Sequence, residues 1–586
     1  MCSIIGFKGN SKASDTMIDS LAKMEYRGYD SVGIATSHNN VISLKKGIGK
    51  VSEVNNKHRL TELNGNVGIG HTRWATHGKV TVENAHPHST NKSEIAIVHN
   101  GIIKNYEKLR VFLEENNYNF KSETDSEVIS NLIQFHMDRS NDFETSIKKT
   151  INQLEGAFSF IALANDGTLG AARYDEPLIL GIGDEGYYIS SDVLGFLEHT
   201  DEAIFVGNKQ FFIIDQFGLK IQDFQGTPVS QRITKVAWEI GSSDKGKYEH
   251  FTIKEIEEQP KTILKSSEIP IENLEKIEKI IQKSYNIFFT GSGTSYNSAL
   301  VARQLFSKHL KIKIEPIMSS EFDFCEDLLD SKSCVVAISQ SGESADVLKA
   351  ISQAKRYNAM TCCFVNITSS SLVRETEAHI GINCGPEIGV AATKSFTSQL
   401  ISTYKIIDQL KKSEKKFDFV EISKAVSKLL EDKTEIEKIS NKISKLSSIY
   451  LLGRGIHYPI ALEGALKIKE LAYIHAEGIP GGELKHGPLA LMDEQTFVIA
   501  INPSDETYDI TENSLHEIKA RGAKIIGISD IPNKSYDYWI KIPKVESHWY
   551  PILEIIPLQL IAYFTSMKIG ENPDYPRNLA KSVTVL

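Results

Sequence analysis

Two similar stretches decide the fold of the second half of the chain: IFFTGSGTSY at residues 287–296 and YLLGRGIHY at 450–458. Their two glycines and their tyrosine coincide at an offset of 162 residues. Further on, VAISQSGES at 336–344 matches IAINPSDET at 499–507, and AMTCCFVN at 359–366 matches AKIIGISD at 523–530. Each unit alternates apolar strands, turns and helical patterns. The repeat therefore predicts a doubly wound parallel α/β domain that is present twice.

The composition is that of an ordinary globular protein. The 586 residues are 41% hydrophobic and 24% charged, and 66 basic against 75 acidic residues give a net charge of −9. This mild negative charge gives no reason to expect nucleic acid or an anionic membrane as a partner. No apolar run approaches the roughly 20 residues that a bilayer span needs, and the N-terminus does not read as a signal peptide. We expect a cytoplasmic protein whose six cysteines form no disulfide framework.

The first 235 residues differ in pattern from the repeat. Short β-like runs separated by Gly, Asn and Asp, with a few helical patterns between them, predict an α+β domain with antiparallel sheets. A polar Gly/Ser stretch and a charged run follow, which we interpret as a linker over 236–262. The repeat then divides into domains over 263–430 and 431–570, and a tail over 571–586 ends the chain.

Cys2 is a candidate nucleophile. Removal of the initiator methionine would give it a free α-amino group, whose ordinary pKa of about 7.7–8.0 suits a base near neutral pH. Position alone favours an incidental cysteine. Three further features favour chemistry: the guanidinium of Arg73, which can hold a carboxylate; Asn100-Gly101 at a strand end, which can form an oxyanion hole; and Asp125. A surface ion pair, a hairpin turn and an N-cap are their respective structural alternatives.

Five histidines in this domain invite comparison with a metal site. Their spacing fits no zinc pattern and no cysteine lies nearby, so we expect no metal. The five are His71, His77, His86, His88 and His99.

Two loops of the first repeat copy could bind a ligand. The GSGTSY turn fails as a dinucleotide fingerprint, because Tyr296 stands at its third glycine position. Ser339 to Ser344 follow a strand and open a helix, where backbone N–H groups favour an anion. Without a lysine or a P-loop, the segment suits a sugar phosphate, although a serine-rich N-cap turn is the plain alternative. Pro503 and Asp505 in the second copy predict that only the first copy binds phosphate.

The second copy carries titratable groups instead. Glu463, Lys467 and Glu470 are spaced to share one helical face, which a solvated charged surface would also explain. His486 lies in a loop between a lysine and Gly-Pro, a place suited to acid–base work.

The N-terminal motifs resemble the class II, N-terminal-nucleophile glutamine amidotransferase domain, an αββα sandwich. The resemblance implies Cys2 as the nucleophile, with Asn100 and Gly101 as the oxyanion hole. It implies glutamine binding by Arg73, Thr76, His77 and Asp125, and Trp74 as the gate of an ammonia channel. Most members have glycine after the nucleophile, where this chain has Ser3.

The whole chain resembles the glucosamine-6-phosphate synthase family, in which two SIS (sugar isomerase) domains follow the amidotransferase domain. The resemblance implies that the chain makes glucosamine 6-phosphate from fructose 6-phosphate and glutamine, as the first step of amino-sugar biosynthesis. It implies a homodimer with no metal and no organic cofactor. It places the sugar phosphate at Ser295, Ser339, Gln340, Ser341, Ser344, Val390 and Ala580, and the isomerase chemistry at Lys467, Glu470, His486 and Lys581.

Two other functions are compatible with parts of the pattern. One is a non-catalytic sugar-phosphate sensor built on SIS domains, which would be expected to have lost Cys2, Glu470, His486 or Lys581; all four are present. The other is an amidotransferase for a different acceptor. We find neither the diphosphoribosyl-binding motif nor the ATP-pyrophosphatase loop that such enzymes carry.

Overall fold

A computed structural model describes residues 2–74, 78–139, 141–236, 245–411 and 415–583. The chain divides into two compact units, the first of residues 1–241 and 582–586 and the second of residues 242–581.

Two antiparallel sheets form the centre of the first unit. The eight-stranded sheet has the order β14-β11-β9-β10-β1-β4-β2-β3, and the six-stranded sheet has the order β13-β12-β8-β7-β6-β5. The strands are β1 Ser3–Gly9, β2 Ser31–His38, β3 Val41–Ile48, β4 Val67–Arg73, β5 His88–Ser89, β6 Ile95–Ile103, β7 Gly156–Ala164, β8 Leu169–Tyr174, β9 Ile179–Gly183, β10 Gly186–Ser190, β11 Glu202–Phe205, β12 Gln210–Asp215, β13 Gly218–Asp223 and β14 Thr234–Lys235.

Strand alternation explains how the two sheets become inner layers. Ile4 packs between the sheets with Val98 and Ile161, whereas its neighbour Ile5 packs on the opposite face against the helix that contains Met17. Helices cover both outer faces, which makes four layers in the order α, β, β, α. These helices are α1 Ala13–Lys23, α2 Val51–His58, α3 Tyr106–Glu115, α4 Glu127–Met137 and α5 Phe143–Ile151.

Two parallel five-stranded sheets form the second unit. Their orders are β16-β15-β17-β18-β19 and β21-β20-β22-β23-β24, which is one topology used twice. Buried runs such as Cys334–Ile338 are apolar throughout because helices cover both faces. The strands are β15 Asn286–Gly291, β16 Glu315–Met318, β17 Ser333–Ser339, β18 Met360–Val365, β19 Ala378–Gly381, β20 Ser448–Gly453, β21 His475–Pro480, β22 Phe497–Ile501, β23 Lys524–Ser529 and β24 Tyr538–Lys541.

The helices of the second unit surround both sheets. They are α6 Phe251–Glu257, α7 Gln259–Ser267, α8 Ile271–Lys283, α9 Thr294–Leu310, α10 Ala345–Arg356, α11 Ser371–Glu375, α12 Lys394–Lys411, α13 Phe419–Leu430, α14 Thr434–Ile443, α15 His457–Ala472, α16 Tyr508–Lys519 and α17 Tyr550–Lys568. Helices α6 and α7 begin inside the segment that we interpreted as a linker, because Ile256 and Ile263 belong to the core of this unit.

One stretch of the described residues is long and apolar enough to cross a membrane. It is Ser547–Lys568, which has a mean hydropathy of 1.2 and includes α17. Since 89% of that window is buried inside the protein, α17 is explained as a core helix that packs against α14 and α15.

The predicted fold class is confirmed. The first unit is an αββα sandwich of antiparallel sheets, and the second holds two doubly wound parallel α/β domains. The domain boundaries remain a proposal.

Candidate active sites

Cys2 lies immediately before β1, beside the end of β4. The backbone N–H of Trp74 donates to Cys2 Sγ at 3.2 Å, and Sγ donates to the Trp74 carbonyl at 3.4 Å. The neighbouring Ser3 is buried, and its hydroxyl donates to the Met24 carbonyl at 3.0 Å. A serine therefore fits beside Cys2 with its polar group satisfied.

Burial raises the pKa of the Cys2 thiol, and the Trp74 N–H and the Arg73 guanidinium oppose the rise. Because the thiolate is the reactive form, this cysteine needs a base close by. Its own α-amino group would supply one after removal of the initiator methionine.

Strand β6 brings Asn100 and Gly101 to Cys2 from the other sheet. Asn100 Nδ2 donates to the Cys2 carbonyl oxygen at 3.2 Å. Gly101 has φ +113°, and a Cβ there would lie 2.1 Å from the Ala157 carbonyl oxygen, so no other residue fits without strain. The amide of Asn100 and the backbone after it therefore lie where an oxyanion hole for a substrate at Cys2 would be needed.

Arg73 and Asp125 are both buried. Burial lowers the pKa of Arg73, while Cys2 and Asp125 act on it in the opposite direction. The guanidinium donates to the Gly78 and Lys79 carbonyls at 3.3 and 3.2 Å, and Asp125 Oδ2 accepts from the Ile103 N–H at 2.8 Å. A cation and an anion thus line the same region, as binding of an amino acid's α-carboxylate and α-amino groups requires.

The structure says little about the predicted roles of Trp74, Thr76 and His77. The Trp74 ring contacts Tyr29 edge-on, with ring centroids 5.5 Å apart. Thr76 and His77 lie outside the described residues.

Four of the five histidines form a buried cluster. His71 stacks on His86 at 4.1 Å, His86 contacts His88 at 4.4 Å, and His71 Nε2 lies 3.0 Å from the His99 carbonyl oxygen. Burial lowers the pKa of all four, that of His71 to about 3, so they are neutral near pH 7. Within the described ranges, no group of three or more His, Cys, Asp or Glu residues could hold a metal ion.

In the second unit, the predicted phosphate residues lie at a topological switch point. Strand β15 has β16 on one side and β17 on the other, so the loops after β15 and β17 diverge and leave a crevice at their carboxyl ends. Ser295 lies in the first turn of α9, and Ser339 to Ser344 connect β17 to α10. The loop is braced internally: the Gly342 N–H donates to Ser339 Oγ at 2.9 Å, and the Glu343 N–H donates to Ser341 Oγ at 3.2 Å.

Helix α15 presents the titratable groups of the second copy to the first copy. Glu463 and Lys467 are buried, and Lys467 Nζ lies 2.6 Å from Glu470 Oε2 and 3.3 Å from Glu463 Oε1. Thr294 of α9 donates to Glu463 at 2.9 Å and accepts from Lys467 at 3.1 Å. Since Thr294 precedes Ser295, the charged face of α15 lies next to the proposed phosphate loop.

The charge state of this face follows from its pairing. Burial alone would lower the pKa of Lys467, but the carboxylates of Glu463 and Glu470 raise it. Lys467 is therefore held as an ammonium ion, which is a poor nucleophile.

Lys581 is held by the loop that follows β19. Its Nζ donates to Glu387 Oε2 at 2.5 Å and to the Gly389 carbonyl oxygen at 2.8 Å, and its side chain is 5% exposed. The next residue of that loop is Val390, whose N–H donates to the Asp574 carbonyl at 3.2 Å. The structure thus brings Lys581, Ala580 and Val390 together.

Glu387 is a buried carboxylate that receives several donors. It accepts from the Thr393 and Ser395 N–H groups at 2.9 and 3.0 Å and from Ser395 Oγ at 2.7 Å. Burial would raise the pKa of Glu387, but Lys581 and these donors bring it down to about 2. Lys581 therefore lies in an ion pair.

His486 makes no hydrogen bond or ion pair with the other predicted residues of the sugar site among the described residues. It ends a 3₁₀ turn over Gly481–His486, where it is exposed and makes no hydrogen bond within the described part of the chain.

Relatives with a known activity match the chain along its whole length. It is 40% identical to the isomerizing glutamine–fructose-6-phosphate aminotransferases of Pyrococcus horikoshii and Methanothermobacter thermautotrophicus, over 597 and 593 aligned residues that cover 100% of both chains. The chain belongs to the family of isomerizing glutamine–fructose-6-phosphate aminotransferases.

Domain and structure comparisons agree with this aminotransferase family. Residues 71–198 match the glutamine amidotransferase domain, and residues 279–407 and 442–567 each match the SIS domain. The C-terminal domain of the glucosamine-fructose-6-phosphate aminotransferase from Francisella tularensis superposes with a TM-score of 0.52 at 34% identity. It is matched over 100% of its length and covers 57% of this chain. The predicted family is confirmed.

Sequence reasoning missed two residues that position the groups assigned from the aminotransferase family. Glu387 holds Lys581, and Thr294, which precedes Ser295, accepts a hydrogen bond from Lys467. Thr294 lies in the quoted GSGTSY turn and could have been named from it. Glu387 had no comparable signal, because a single glutamate after a proline is typical of a surface loop.

Proposed function

We propose that this chain converts D-fructose 6-phosphate and L-glutamine to D-glucosamine 6-phosphate and L-glutamate. The observation that carries the proposal is the full-length similarity to isomerizing glutamine–fructose-6-phosphate aminotransferases. A sugar-phosphate sensor would not need the glutamine-site residues around Cys2, and an amidotransferase for another acceptor would not need the sugar-site residues around Lys581.

The first half of the proposed reaction releases ammonia at Cys2. The α-amino group of Cys2 takes the thiol proton, and the thiolate attacks the side-chain carboxamide of glutamine. Asn100 Nδ2 and the Gly101 N–H stabilise the oxyanion, while Arg73 and Asp125 hold the α-carboxylate and the α-amino group. Ammonia leaves as the thioester forms, and water then hydrolyses the thioester to glutamate. Thr76 and His77 would line the glutamine pocket, and Trp74 would gate the passage of ammonia.

The second half adds that ammonia to the sugar. The phosphate of fructose 6-phosphate binds at Ser295 and the loop from Ser339 to Ser344, and Val390 and Ala580 contact the sugar through their backbone. After His486 assists ring opening, Lys581 forms an iminium at C2 with loss of water. Ammonia replaces the lysine at C2, which frees Lys581 and gives fructosimine 6-phosphate. Glu470 then moves a proton from C1 to C2, assisted by Lys467, which yields the amino aldose.

Charge supports these roles for Lys581 and Lys467. Both lysines are ion-paired, Lys581 with Glu387 and Lys467 with Glu463 and Glu470. The Glu387 carboxylate holds Lys581 in place, and Nζ must lose its proton before it attacks the ketone. Lys467 lies between two carboxylates and keeps its charge.

We also propose a cytoplasmic homodimer without a membrane or nucleic-acid partner. The net charge of −9 and the burial of the apolar α17 support the absence of those partners. Analytical ultracentrifugation of the purified chain would measure its mass in solution, and a sedimenting monomer would contradict the dimer.

Product identification tests the proposed function directly. The purified chain is incubated with fructose 6-phosphate and glutamine labelled with ¹⁵N in its amide, and the products are analysed by NMR. We expect ¹⁵N-glucosamine 6-phosphate and glutamate in equal amounts. Glutamate without amino sugar would indicate a different acceptor, and neither product would favour a sensor.

A further inference from the structure

The two repeat copies can be compared at the phosphate site residue by residue. With the offsets of the repeat, Ser295 corresponds to His457, Ser341 to Ser504, and Ser344 to Thr507. Two positions gain an acid in the second copy: Gly342 becomes Asp505, and Asn366 becomes Asp530. Both changes add negative charge where the first copy is proposed to bind a phosphate.

The first copy has no room for such an acid. Gly342 has φ +68°, and a Cβ there would lie 2.1 Å from Ser370 Oγ. Asn366 is neutral and braces the chain, since its Nδ2 donates to the Gly385 carbonyl at 2.8 Å and its Oδ1 accepts from the Cys384 N–H at 3.1 Å. At these two positions the first copy therefore places no carboxylate against the loop from Ser339 to Ser344.

In the second copy, the equivalent donors point at the chain's own carboxylates. His457 Nε2 lies 2.9 Å from Asp505 Oδ2, and the Thr507 N–H and hydroxyl both donate to Asp505 Oδ1 at 2.8 Å. The Ser504 N–H and hydroxyl donate to Asp530 at 2.7 and 2.5 Å. The counterparts of Ser295, Ser341 and Ser344 thus already have an anionic partner in the second copy.

The imidazole of His457 completes the substitution. It is fully buried between Asp505 and Glu554, and its Nδ1 lies 2.9 Å from a Glu554 carboxylate oxygen. Burial would lower the pKa of His457, but Glu554 and Asp505 raise it to about 10. The imidazolium of His457 therefore takes the place of Ser295, and the carboxylates of Asp505 and Glu554 balance its charge.

We propose that the second copy keeps the anion pocket of the repeat in a self-occupied form, with Asp505 and Asp530 bound where the phosphate of a ligand would bind. The two carboxylates exclude sugar phosphates and inorganic phosphate by charge and by volume. They are specificity-determining residues, because they restrict fructose 6-phosphate to the first copy, beside Lys467 and Glu470. This inference rests on the proposed phosphate site of the first copy.

Phosphate-binding stoichiometry tests the inference. Equilibrium dialysis of the full-length chain against radiolabelled inorganic phosphate counts the sites, first in the unchanged chain and then in a double variant, Asp505→Gly with Asp530→Asn, which restores the first-copy residues. We expect one phosphate per unchanged chain and two per variant chain. Adding Ser341→Ala to the double variant should remove one site and leave the new one.

A matched control separates the pocket from general charge. Glu506→Gln with Asp509→Asn removes two exposed acids from the same region and should leave one phosphate per chain. A folded double variant that binds one phosphate would overturn the inference, as would an unchanged chain that binds two. If the single variant Ser341→Ala binds phosphate as well as the unchanged chain does, the proposed phosphate site of the first copy is wrong. A second phosphate on the double variant would still support the self-occupied pocket of the second copy.

A milder variant covers the case in which the double variant does not fold. Asp505→Asn removes one charge and keeps the side-chain shape. In the Ser341→Ala background, Asp505→Asn should raise the melting temperature in 10 mM phosphate, whereas Ser341→Ala alone should show no such rise. Equal melting curves for both would contradict the self-occupied pocket.

Discussion

The buried ion pair between Glu387 and Lys581 leads to a quantitative prediction for Glu387→Gln. Glu387 is 4% exposed, and Lys581 Nζ donates to it at 2.5 Å. The amide keeps the shape of the side chain but removes the charge that holds the ammonium. We expect residues 578–583 of the tail to lose their attachment to the loop at 387–390, because Lys581 can regain water only by leaving that site. Asp574 keeps its own hydrogen bonds with the Phe251, Thr252 and Val390 N–H groups.

The pKa of Glu387 sets the magnitude. Burial would raise it, yet Lys581 and the neighbouring N–H donors lower it from 4.5 to about 2. That difference corresponds to about 3 kcal/mol of stabilisation of the ionised carboxylate, at about 1.4 kcal/mol per pKa unit. Because the folded pKa lies below the ordinary value, the stabilisation is present above about pH 4.5 and is lost as the pH falls from there through 2. Because the Thr393 and Ser395 donors supply part of this stabilisation and do not belong to the tail, loss of the pair with Lys581 should increase the population of released tail by up to roughly 10²-fold.

Hydrogen exchange and trapping measure the two consequences. Amides of residues 578–583 should exchange much faster in Glu387→Gln at pH 7, and the difference from the unchanged chain should shrink as the pH falls below about 4.5. Borohydride trapping with fructose 6-phosphate should label Lys581 in the unchanged chain and label it far less in the variant. Glutamine hydrolysis at Cys2 should survive.

The control is Glu258→Gln. Glu258 pairs with Lys394 at 2.7 Å, so it belongs to the same group of charges without contacting the tail. The control should leave tail exchange and sugar trapping unchanged. Protection of residues 578–583 in Glu387→Gln equal to that of the unchanged chain at pH 7 would refute the reasoning.

Four further substitutions test the proposed sites. Cys2→Ala should abolish glutamine-dependent synthesis while fructose 6-phosphate still binds; glutamine consumption at the unchanged rate would contradict the nucleophile assignment. Ser341→Ala should raise the KM for fructose 6-phosphate by roughly 10- to 100-fold, since one hydrogen bond to a charged group contributes about 1.5–3 kcal/mol, whereas Ser504→Ala should leave that KM unchanged. Lys581→Arg should stop sugar conversion while Cys2 still hydrolyses glutamine, and an iminium trapped on Lys467 instead would contradict the Schiff-base assignment.

The sequence was sufficient for the fold of the second unit because the repeat is visible in it. Apolar runs and glycine turns recur at nearly constant spacing, and each run became a buried parallel strand. The spacing of Glu463, Lys467 and Glu470 predicted one helical face, and their mutual ion pairs agree with it.

Ion pairs between residues far apart in the chain could not be predicted from the sequence. Glu387 and Lys581 are 194 residues apart, and neither has a local pattern that names the other. Glu255 lay inside the segment interpreted as a linker, yet it is buried and accepts the Ile388 and Gly389 N–H groups. The histidine cluster was equally hidden, because ring stacking depends on β4 and the loop before β5 meeting in space.

Helix α15 cannot keep its buried carboxylate without help from the first copy. The Glu463 carboxylate accepts hydrogen bonds from Thr294 at 2.9 Å and from Asn297 at 2.8 Å, both on α9. These bonds offset the free-energy cost of burying its charge. A fragment containing the second copy alone would expose this face or leave Glu463 without two of its partners. Neither repeat copy can therefore be excised as an independent module, because the two copies depend on the hydrogen bonds between α9 and α15.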